Sequence, residues 1–552
     1  MATPPDSIFG PGYRLSTPWA RVLRDQARWG VVNVKDWGAT GDGVTDDTAA
    51  IQAALNAGGL VLIPPGSYVV TALSVPANTW LLGHNPARSI LLMGSATDNT
   101  VTLAGNDSGV DGLGFAVASG ISPSTNYFLY TVGVHRPTLH RLKLALAGNG
   151  GVGFINAQET VMDHIQLTGS TAVTGIYAYG ADMLAISRVI AKNVQFTANN
   201  PDVVHVSASA RVVMTNCVIR DTSAAATMTQ GAGAIDVSGG NDIALTNCIT
   251  SGSTSAAGAG TIDGFGVIGG ATEVVFTDCV ANGHSGDGFD LYGASFVTLA
   301  GCAAHGNASF GCEIFAPTTD VIIDGGDFTG NHSSGITITG VPRVIITGTR
   351  ISANQNHGIS ILGTTPISTD ITVVGNHIYN NNQSAGSNVG IALQDASNHV
   401  IIQGNDIFDD QATPTQTYGV TTANTAVADL RNNIFWGNKS GAIDDAVGLS
   451  VKTGNTGYND AQTTITGTTA GSAVASMPIQ EPTYKKVVVW LNGYENDTTT
   501  AQTYTFPMGF TETPAITTNS ASVPGVSVST TALALAPDTT TAYTGWIVVE
   551  GY

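Results

Sequence analysis

The stretch VVFTDCVANGHSGDGFDLYG (residues 274–293) contains both halves of a phrase that recurs along the chain. The first half is an apolar run that ends in a small or amide residue. The second half begins with glycine and alternates apolar with polar residues. Between about residues 190 and 440 the first half recurs with corresponding residues at Cys217, Cys248, Cys279, Cys302, Gly326, Thr349, Asn376 and Asn405.

This repeat predicts the fold. Alternation with a period of two is typical of a β-strand. A short strand that cannot bury its apolar face alone, repeated about every two dozen residues, stacks on its copies to form a solenoid. We therefore expect an all-β chain, built as a right-handed parallel β-helix with two or three strands per turn.

Two ladders of like side chains are expected inside this β-helix. The four cysteines predict an inward column of small thiols, at a spacing that also permits a disulfide between adjacent coils. Three amides that follow the apolar runs are expected to lie at one bend and to hydrogen-bond along the stack: Asn282, Asn307 and Asn331.

The N-terminal region predicts a cap for the solenoid. Residues 31–70 contain a strand, a glycine turn, a helix near residues 46–57 that opens at Thr45 or Asp46, and another strand. Such an amphipathic helix covers the open end of a β-helix. We interpret Asp42, Asp46 and Asp47 as turn and capping residues, because they lack the ligand spacing of a calcium loop.

The segments VKDWGATGDGVTDDTAAIQAAL (34–55) and VLIPPGSYVV (61–70) closely resemble the opening of pectate-lyase-superfamily β-helix proteins. That family includes phage tailspikes and polysaccharide depolymerases beside bacterial lyases, epimerases and hydrolases. Residues 17–30 are similar to the leader of tailspike-like proteins, so the resemblance covers about residues 17–450. It implies a homotrimer located on a virion tail or outside the cell.

The rest of the chain divides by composition. We predict an N-terminal arm (1–30), the β-helix domain (31–455), a linker or short irregular strands (456–484) and a small C-terminal β-sandwich (485–552). The pieces TFPMGFTETPAIT and GWIVVEGY resemble the C-terminal domains of phage tail fibres. That resemblance implies a role in trimerisation or sugar binding.

Charge excludes several classes of partner. The 552 residues carry a formal net charge of −20 and have a sequence pI of about 4.6. An acidic chain without a broad basic surface is a poor partner for nucleic acid or for an anionic membrane. The start, MATPPDSIFGPGYRL, has neither a basic n-region nor an apolar h-region, so we expect no Sec signal peptide.

One level of the repeat combines acids with aromatic residues. Alternation places Asp290 and Glu313 outward on adjacent coils, with Asp287 at the edge of the first strand and Tyr292 and Phe315 alongside. Three close carboxylates cannot all ionise at their ordinary pKa, so one can serve as general acid while another activates water or attacks carbon. Such a pair, beside rings that suit a pyranose face, predicts hydrolysis of a polysaccharide.

The same cluster resembles the site of O-antigen-cleaving tailspikes, where two Asp on one coil and a Glu on a neighbouring coil share a groove. In this chain the Glu follows the Asp pair. From the strand alternation and this resemblance we predict that Asp287, Asp290 and Glu313 are the catalytic residues and that they act without a metal ion. The residues predicted to bind substrate are Tyr292, Phe315, His284, His305 and Asp263.

Two other functions remain open at this point. DGFDLYG (287–293) is similar to the Gly-Phe-Asp stretch of alginate epimerase modules, which suggests a lyase or epimerase acting on uronates. That chemistry needs a proton acceptor and a cation, yet no Lys or Arg occurs between Arg220 and Arg343, so bound calcium would have to bridge acidic groups. The third possibility is a fibre that binds glycan without cleaving it.

Overall fold

A computed structural model provides the coordinates. It describes residues 30–551 apart from residues 124, 198–201, 226–231, 257–260, 364–365, 385, 396, 446–449, 467–471, 479–484, 497–501, 506–512, 519–525, 531 and 536–537. The chain forms two compact units, one that ends at Gly286 and one that begins at Asp287. Among the described residues, no helix is both long and apolar enough to cross a membrane.

The described residues of the first unit form a short 3-10 helix (Val34–Trp37), an α-helix, α1 (Thr48–Asn56), and a series of short strands. The strands are β1 (Val31–Asn33), β2 (Asp42–Asp46), β3 (Gly59–Ile63), β4 (Gly66–Val70), β5 (Leu73–Val75), β6 (Thr79–Gly83), β7 (Ser89–Met93), β8 (Val101–Leu103), β9 (Gly109–Asp111), β10 (Gly114–Val117), β11 (Tyr127–Val132), β12 (Thr138–Gly148), β13 (Gly150–Ile155), β14 (Val161–Thr171), β15 (Ile176–Tyr179), β16 (Asp182–Ser187), β17 (Ile190–Phe196), β18 (Val204–Ser207), β19 (Ala210–Thr215), β20 (Val218–Arg220), β21 (Ser223–Ala224), β22 (Ala232–Ser238), β23 (Asn241–Thr246), β24 (Ile249–Ser251), β25 (Thr254–Ser255), β26 (Ile262–Ile268), β27 (Thr272–Thr277) and β28 (Val280–Asn282).

Corresponding strands of successive coils pair in parallel. In the first unit one stack runs through β5, β8, β11, β13, β15, β18, β22 and β26. A second stack joins β16, β19, β23 and β27, and a third joins β17, β20, β24 and β28. The alternate apolar residues of these strands are buried in the interior, which confirms the period-two pattern.

The regular elements among the described residues of the second unit are strands. They are β29 (Phe289–Tyr292), β30 (Ser295–Ala300), β31 (Ala303–His305), β32 (Cys312–Phe315), β33 (Thr319–Asp324), β34 (Asp327–Thr329), β35 (Ile336–Thr339), β36 (Pro342–Thr347), β37 (Arg350–Ser352), β38 (Ile359–Gly363), β39 (Thr369–Val374), β40 (His377–Tyr379), β41 (Ile391–Asp395), β42 (Asn398–Gln403), β43 (Asp406–Phe408), β44 (Tyr418–Thr422), β45 (Ala428–Arg431), β46 (Ile434–Trp436), β47 (Gly441–Asp445), β48 (Val451–Thr453), β49 (Thr456–Thr466), β50 (Ser472–Pro478), β51 (Lys485–Asn496), β52 (Gln502–Thr505), β53 (Ala515–Thr518), β54 (Val526–Val528), β55 (Ala532–Leu535) and β56 (Asp538–Gly551).

Three parallel stacks build the coils of the second unit, so each coil has three strands. The first stack is β29, β32, β35, β38, β41, β44 and β47. The second begins at β30 and adds every third strand to β48. The third begins at β31 and ends at β49. The predicted parallel β-helix is confirmed.

The predicted inward cysteine column is present. Cys217, Cys248, Cys279 and Cys302 are buried, and each thiol lies 3.5–3.6 Å from the carbonyl oxygen two residues earlier. None of the described cysteines forms a disulfide. These thiols therefore pack as small apolar groups, as the sequence predicts.

Buried amides form a second kind of ladder, which corrects one prediction. Asn307 donates from Nδ2 to Oδ1 of Asn331 at 2.9 Å, and Asn331 donates to Asn354 at 3.0 Å. Asn282 is exposed instead, because it ends β28 and the chain turns inward only two residues later. The inward position after that strand is occupied by His284.

The capping helix α1 begins at Thr48 and buries Ile51, Ala54 and Leu55. Its preceding residue, Asp47, is buried, and its carboxylate accepts hydrogen bonds from the backbone N–H groups of Thr40 (2.6 Å) and Gly41 (3.0 Å). The predicted turn role is confirmed for Asp47, whereas its side chain makes no capping hydrogen bond to the helix. The helix begins at Thr48 and not at Thr45 or Asp46, because residues 42–46 form β2.

Antiparallel strands follow the last coil. Within residues 456–484, predicted as a linker or short irregular strands, β49 and β50 pair with each other, and β50 pairs with β51. Strand β56 pairs with β51 and β53, and β55 lies between β52 and β54. A C-terminal β-sandwich stays a prediction.

Candidate active site

The candidate site begins with two register-paired carboxyl groups. Strands β29 and β32 lie in parallel with Asp290 directly opposite Glu313. The neighbouring residues of both strands, Phe289, Leu291, Cys312 and Ile314, are fully buried. Because strand residues alternate between faces, Asp290 and Glu313 point away from the interior, about 4.8 Å apart at the backbone. The structure thus brings the two predicted acids together.

Asp287 lies two residues before the start of β29 and is the third carboxyl group of the site. Its side chain is almost buried, with 8% of the residue exposed. The backbone N–H of Phe310 donates to its Oδ1 at 2.6 Å. The side chains of Ser309 and Glu313 also hydrogen-bond to this carboxyl group. Asp287 therefore links the start of β29 to the turn before β32 and to Glu313.

Burial and mutual repulsion raise the pKa values of these carboxyl groups. Burial raises the pKa of Asp290 to about 6, with a further increase from the charge of Asp287. Burial raises the pKa of Glu313 to about 7, and the charges of Asp287 and Asp290 act in the same direction. Burial also raises the pKa of Asp287, although hydrogen bonds from Ser309 and Phe310 oppose it. The three groups therefore titrate as a coupled set.

An aromatic shelf lies beside the acids. Tyr292 and Phe315 are opposite each other in the register, and 50% and 40% of these residues are exposed. Their ring centroids are 5.8 Å apart with an interplanar angle of 27°. Exposed, stacked aromatic rings next to polar groups suit the apolar C–H face of a sugar ring. The predicted neighbourhood of acids and rings is present.

Hydroxyl groups continue the acid column on later coils. Thr337 lies opposite Glu313 in the register, and Ser360 lies opposite Thr337. Both are buried, and the Oγ1 atom of Thr337 has no hydrogen-bond partner among the described residues.

His284, predicted to bind substrate, lies in the interior of the first unit. Its ring nitrogens are 3.1 Å from the Ser253 hydroxyl and 3.0 Å from the Thr250 hydroxyl. Burial lowers its pKa to about 4, so the imidazole is neutral. The bend after β28 directs this side chain inward, and a substrate contact for it stays a prediction.

His305 and Asp263 belong to strands other than the two that carry Asp290 and Glu313. His305 ends β31, in a different strand stack, and its Nε2 lies 3.1 Å from Asp327. Asp263 belongs to β26 of the first unit, where a Cβ on Gly286 would approach its Oδ1 to 2.0 Å. A substrate contact for either residue stays a prediction.

Sequence reasoning missed Ser309 and Phe310. They lie in the turn between β31 and β32, where no alternation indicates which backbone group faces which side chain. The only available signal was the short glycine-bounded turn GNASFG (306–311), placed just before the acid-bearing strand. The hydrogen bond from Phe310 to Asp287 could not be inferred from it.

Comparisons with known proteins agree with this architecture. The chain matches the right handed beta helix region over residues 150–316 and 233–407. It also matches the rhamnogalacturonase A/epimerase, pectate lyase-like family over residues 31–132. Together with the parallel coils, these matches define a right-handed β-helix protein with a pectate-lyase-like N-terminal region.

Relatives in sequence match only short stretches. Mannuronan C5-epimerase AlgE5 of Azotobacter vinelandii is 40% identical over 83 residues, which are 13% of this chain and 8% of that protein. The preneck appendage protein of Bacillus phage PZA is 36% identical over 72 residues, 13% of this chain and 8% of that protein. The matched stretches thus span less than a tenth of both relatives.

The comparison with solved structures gives matches of low sequence identity. The tailspike protein of E. coli bacteriophage HK620, in complex with a pentasaccharide, is 11% identical with a TM-score of 0.46, and the match covers 99% of this chain and 100% of that chain. The A-module of the Azotobacter vinelandii mannuronan C-5 epimerase AlgE4 is 18% identical with a TM-score of 0.35, covering 77% and 99%.

Proposed function

We propose that this protein hydrolyses glycosidic bonds of a bacterial surface or extracellular polysaccharide. The observation that carries the proposal is the register pair of Asp290 and Glu313, two outward carboxyl groups whose pKa values are raised to about 6 and about 7. Glycoside hydrolysis needs one protonated and one ionised carboxyl group on opposite sides of the scissile bond. Near neutral pH this cluster supplies both forms.

Glu313 serves as the general acid. It has the higher pKa of the pair, and its hydrogen bond to Asp287 raises that pKa further, as expected when a protonated carboxyl donates to a carboxylate. Glu313 gives its proton to the glycosidic oxygen as the bond to the anomeric carbon breaks. Asp290 either takes a proton from the attacking water or attacks the anomeric carbon itself. Asp287 keeps Glu313 protonated between turnovers.

The substrate sugar stacks on the exposed rings of Tyr292 and Phe315. The chain lacks Lys and Arg between Arg220 and Arg343 and has a net charge of −20. A neutral or weakly charged glycan therefore suits this groove better than a polyuronate, which the acids would repel.

The reaction is tested by incubating the full chain with bacterial exopolysaccharide and following reducing ends together with absorbance near 235 nm. We expect new reducing ends without the unsaturated chromophore. Asp290→Asn and Glu313→Gln should each reduce turnover by about 10²–10⁴-fold, the usual contribution of a general acid or base. The matched control is Asp324→Asn, an exposed carboxylate at the end of β33, which should retain activity. Full activity in both site variants would refute the assignment.

A uronate lyase or C5-epimerase is the second candidate, favoured by the local similarity to AlgE5. In that case Tyr292 would transfer a proton beside the acids, and a bound cation would neutralise the substrate carboxylate. Calcium suits this role, because it binds carboxylate oxygens and can bridge acidic groups. A chromophore at 235 nm indicates elimination, whereas unchanged chain length with an altered uronate composition indicates epimerisation.

A glycan-binding fibre is the remaining candidate. It predicts retention of polysaccharide without new reducing ends, chromophore or epimerised residues. We also propose that the protein is a homotrimer on a virion tail or outside the cell, supported by the similarity to a phage appendage protein. Light scattering should then give three times the chain mass of 56.4 kDa. A monomeric mass would contradict this assembly.

A further inference from the structure

A second cluster of polar side chains lies in the first unit. Asp202 precedes β18, His205 belongs to β18, and Asp236 lies opposite His205 on the adjacent strand β22. One ligand atom from each of these residues lies within 4.8 Å of the other two. His205 and Asp236 are half-buried and face outward, because the flanking Val204, Val206, Ile235 and Val237 fill the interior.

Asp202 is the fixed member of this cluster. Only 4% of the residue is exposed, and the backbone N–H of Gly233 donates to its Oδ1 at 2.7 Å. Its Oδ2 lies 2.6 Å from Nδ1 of His205, and its side chain also hydrogen-bonds to Asp236. The two carboxyl groups and the imidazole are therefore held together before any ligand arrives.

Two glycines make room for the Asp236 carboxylate. A Cβ on Gly233 would approach its Oδ1 to 2.1 Å, and a Cβ on Gly266 would approach the same atom to 2.2 Å. Both distances are far below van der Waals contact, so the carboxylate occupies a niche that any larger residue would close. This confined space fixes the position of the Asp236 Oδ1 atom beside His205.

The charge of Asp202 has no fixed cationic partner. In the part of the chain that the structure describes, no Lys or Arg forms an ion pair with Asp202, and His205 is the only basic group in contact. The comparable cluster of His140, Asp163 and His164 differs, because Arg188 binds the Asp163 carboxylate.

We propose that Asp202, His205 and Asp236 form a binding site for a divalent transition-metal ion such as Zn²⁺ or Mn²⁺. One imidazole nitrogen and two carboxylate oxygens are donors that these ions accept at about 2.0–2.2 Å. Calcium is a poorer fit, because it requires about six to eight oxygen ligands. The ion replaces the protons that the three groups share, and these protons leave to solvent.

Three protein ligands leave coordination positions open toward solvent. The Tyr177 ring lies on the adjacent coil, with its centroid 5.7 Å from that of His205. An ion held there presents a positive charge on an otherwise acidic chain and can take water or an oxygen of a glycan as a further ligand. The metal site does not depend on catalysis by Asp290 and Glu313.

The test uses full-length protein treated with chelator and then dialysed, titrated calorimetrically with ZnCl₂ and with MnCl₂ in the absence of polysaccharide. We expect one equivalent to bind, and Co²⁺ to give a visible absorption band from the same site. Asp236→Asn and His205→Asn should each weaken binding at least about tenfold, as loss of a ligand costs no less than loss of a supporting residue. His205→Asn retains a side-chain donor toward Asp202, so it protects the fold.

His164→Ala is the matched control, because this exposed histidine lies in the cluster that Arg188 already neutralises. It should bind metal as the unaltered protein does. Failure of both ions to bind, or equal binding by both site variants and the unaltered protein, would overturn the proposal and leave the cluster a proton-sharing hydrogen-bond network. Because no glycan is present, these outcomes are independent of the polysaccharide assays.

Discussion

For single residues, catalysis depends on the proton shared among the carboxyl groups of Asp287, Asp290 and Glu313. Activity requires Asp290 to be ionised and Glu313 to be protonated. Because their pKa values are raised to about 6 and about 7, activity should rise with pH through about 6 and fall above about 7. A pH profile of the initial rate of reducing-end release checks this expectation. A rate that stays constant from pH 5 to pH 9 would contradict it.

Asp287 should act on that profile through Glu313. Its negative charge and its hydrogen bond both raise the pKa of Glu313. Asp287→Asn removes the charge, so the pKa of Glu313 falls and the alkaline limb moves to lower pH, with a smaller maximal rate. The same pH profile, recorded for the variant, gives the answer. An alkaline limb at its original pH would show that Asp287 does not act on Glu313.

Folding stability should respond to the same carboxyl groups. The pKa of Asp290 is higher in the folded protein than the ordinary value, so the folded state binds more protons between pH 4 and pH 6. Stability therefore decreases as pH rises through this window, and the penalty is complete above it. Asp290→Asn removes the penalty, so its Tm should equal that of the unaltered protein at pH 4 and exceed it slightly at pH 8. A lower Tm at pH 8 would contradict this assignment.

At the scale of elements, the amide ladder of the second unit stabilises the bends between strands. Asn354 accepts from Asn331 at 3.0 Å and donates to Asn381 at 3.0 Å, and all three side chains are buried. Asn354→Ala leaves buried amides unpaired, which costs about 1–3 kcal/mol for each unsatisfied group. Thermal unfolding should show a clearly lower Tm for this variant. Asn398→Ala, at an exposed position on β42, is the control and should unfold at the original temperature.

The same elements explain what the sequence could predict. Glycine-led alternation determined which residues of β29 and β32 face outward, and equal spacing brought Asp290 opposite Glu313. Turns carry no such period. The inward position after β28 is occupied by His284 rather than Asn282, two residues earlier. The hydrogen bond from Phe310 to Asp287 also lies in a bend. No repeat specifies the geometry of either bend.

For the whole molecule, the repeated phrase makes the β-helix predictable. The residues after the last coil lack this phrase, so their structure cannot be predicted in the same way. Residues 456–484 are rich in Thr, Ala, Gly and Ser and lack the coil phrase, so the sequence predicts a linker or short irregular strands. Strands β49 and β50 pair there in an antiparallel manner. Strands of small polar residues gain their stability from neighbouring strands rather than from their own pattern, so composition alone does not distinguish such strands from a linker.

A crystal structure of the Glu313→Gln variant, soaked with oligosaccharides released by the unaltered enzyme, shows whether two carboxyl groups of adjacent coils cleave a glycan between them. We expect a sugar ring against Tyr292 and Phe315, and a glycosidic oxygen about 3 Å from the side chain at position 313. A glycan bound elsewhere on the chain, with Asp290 and position 313 both free of contact, would contradict the claim.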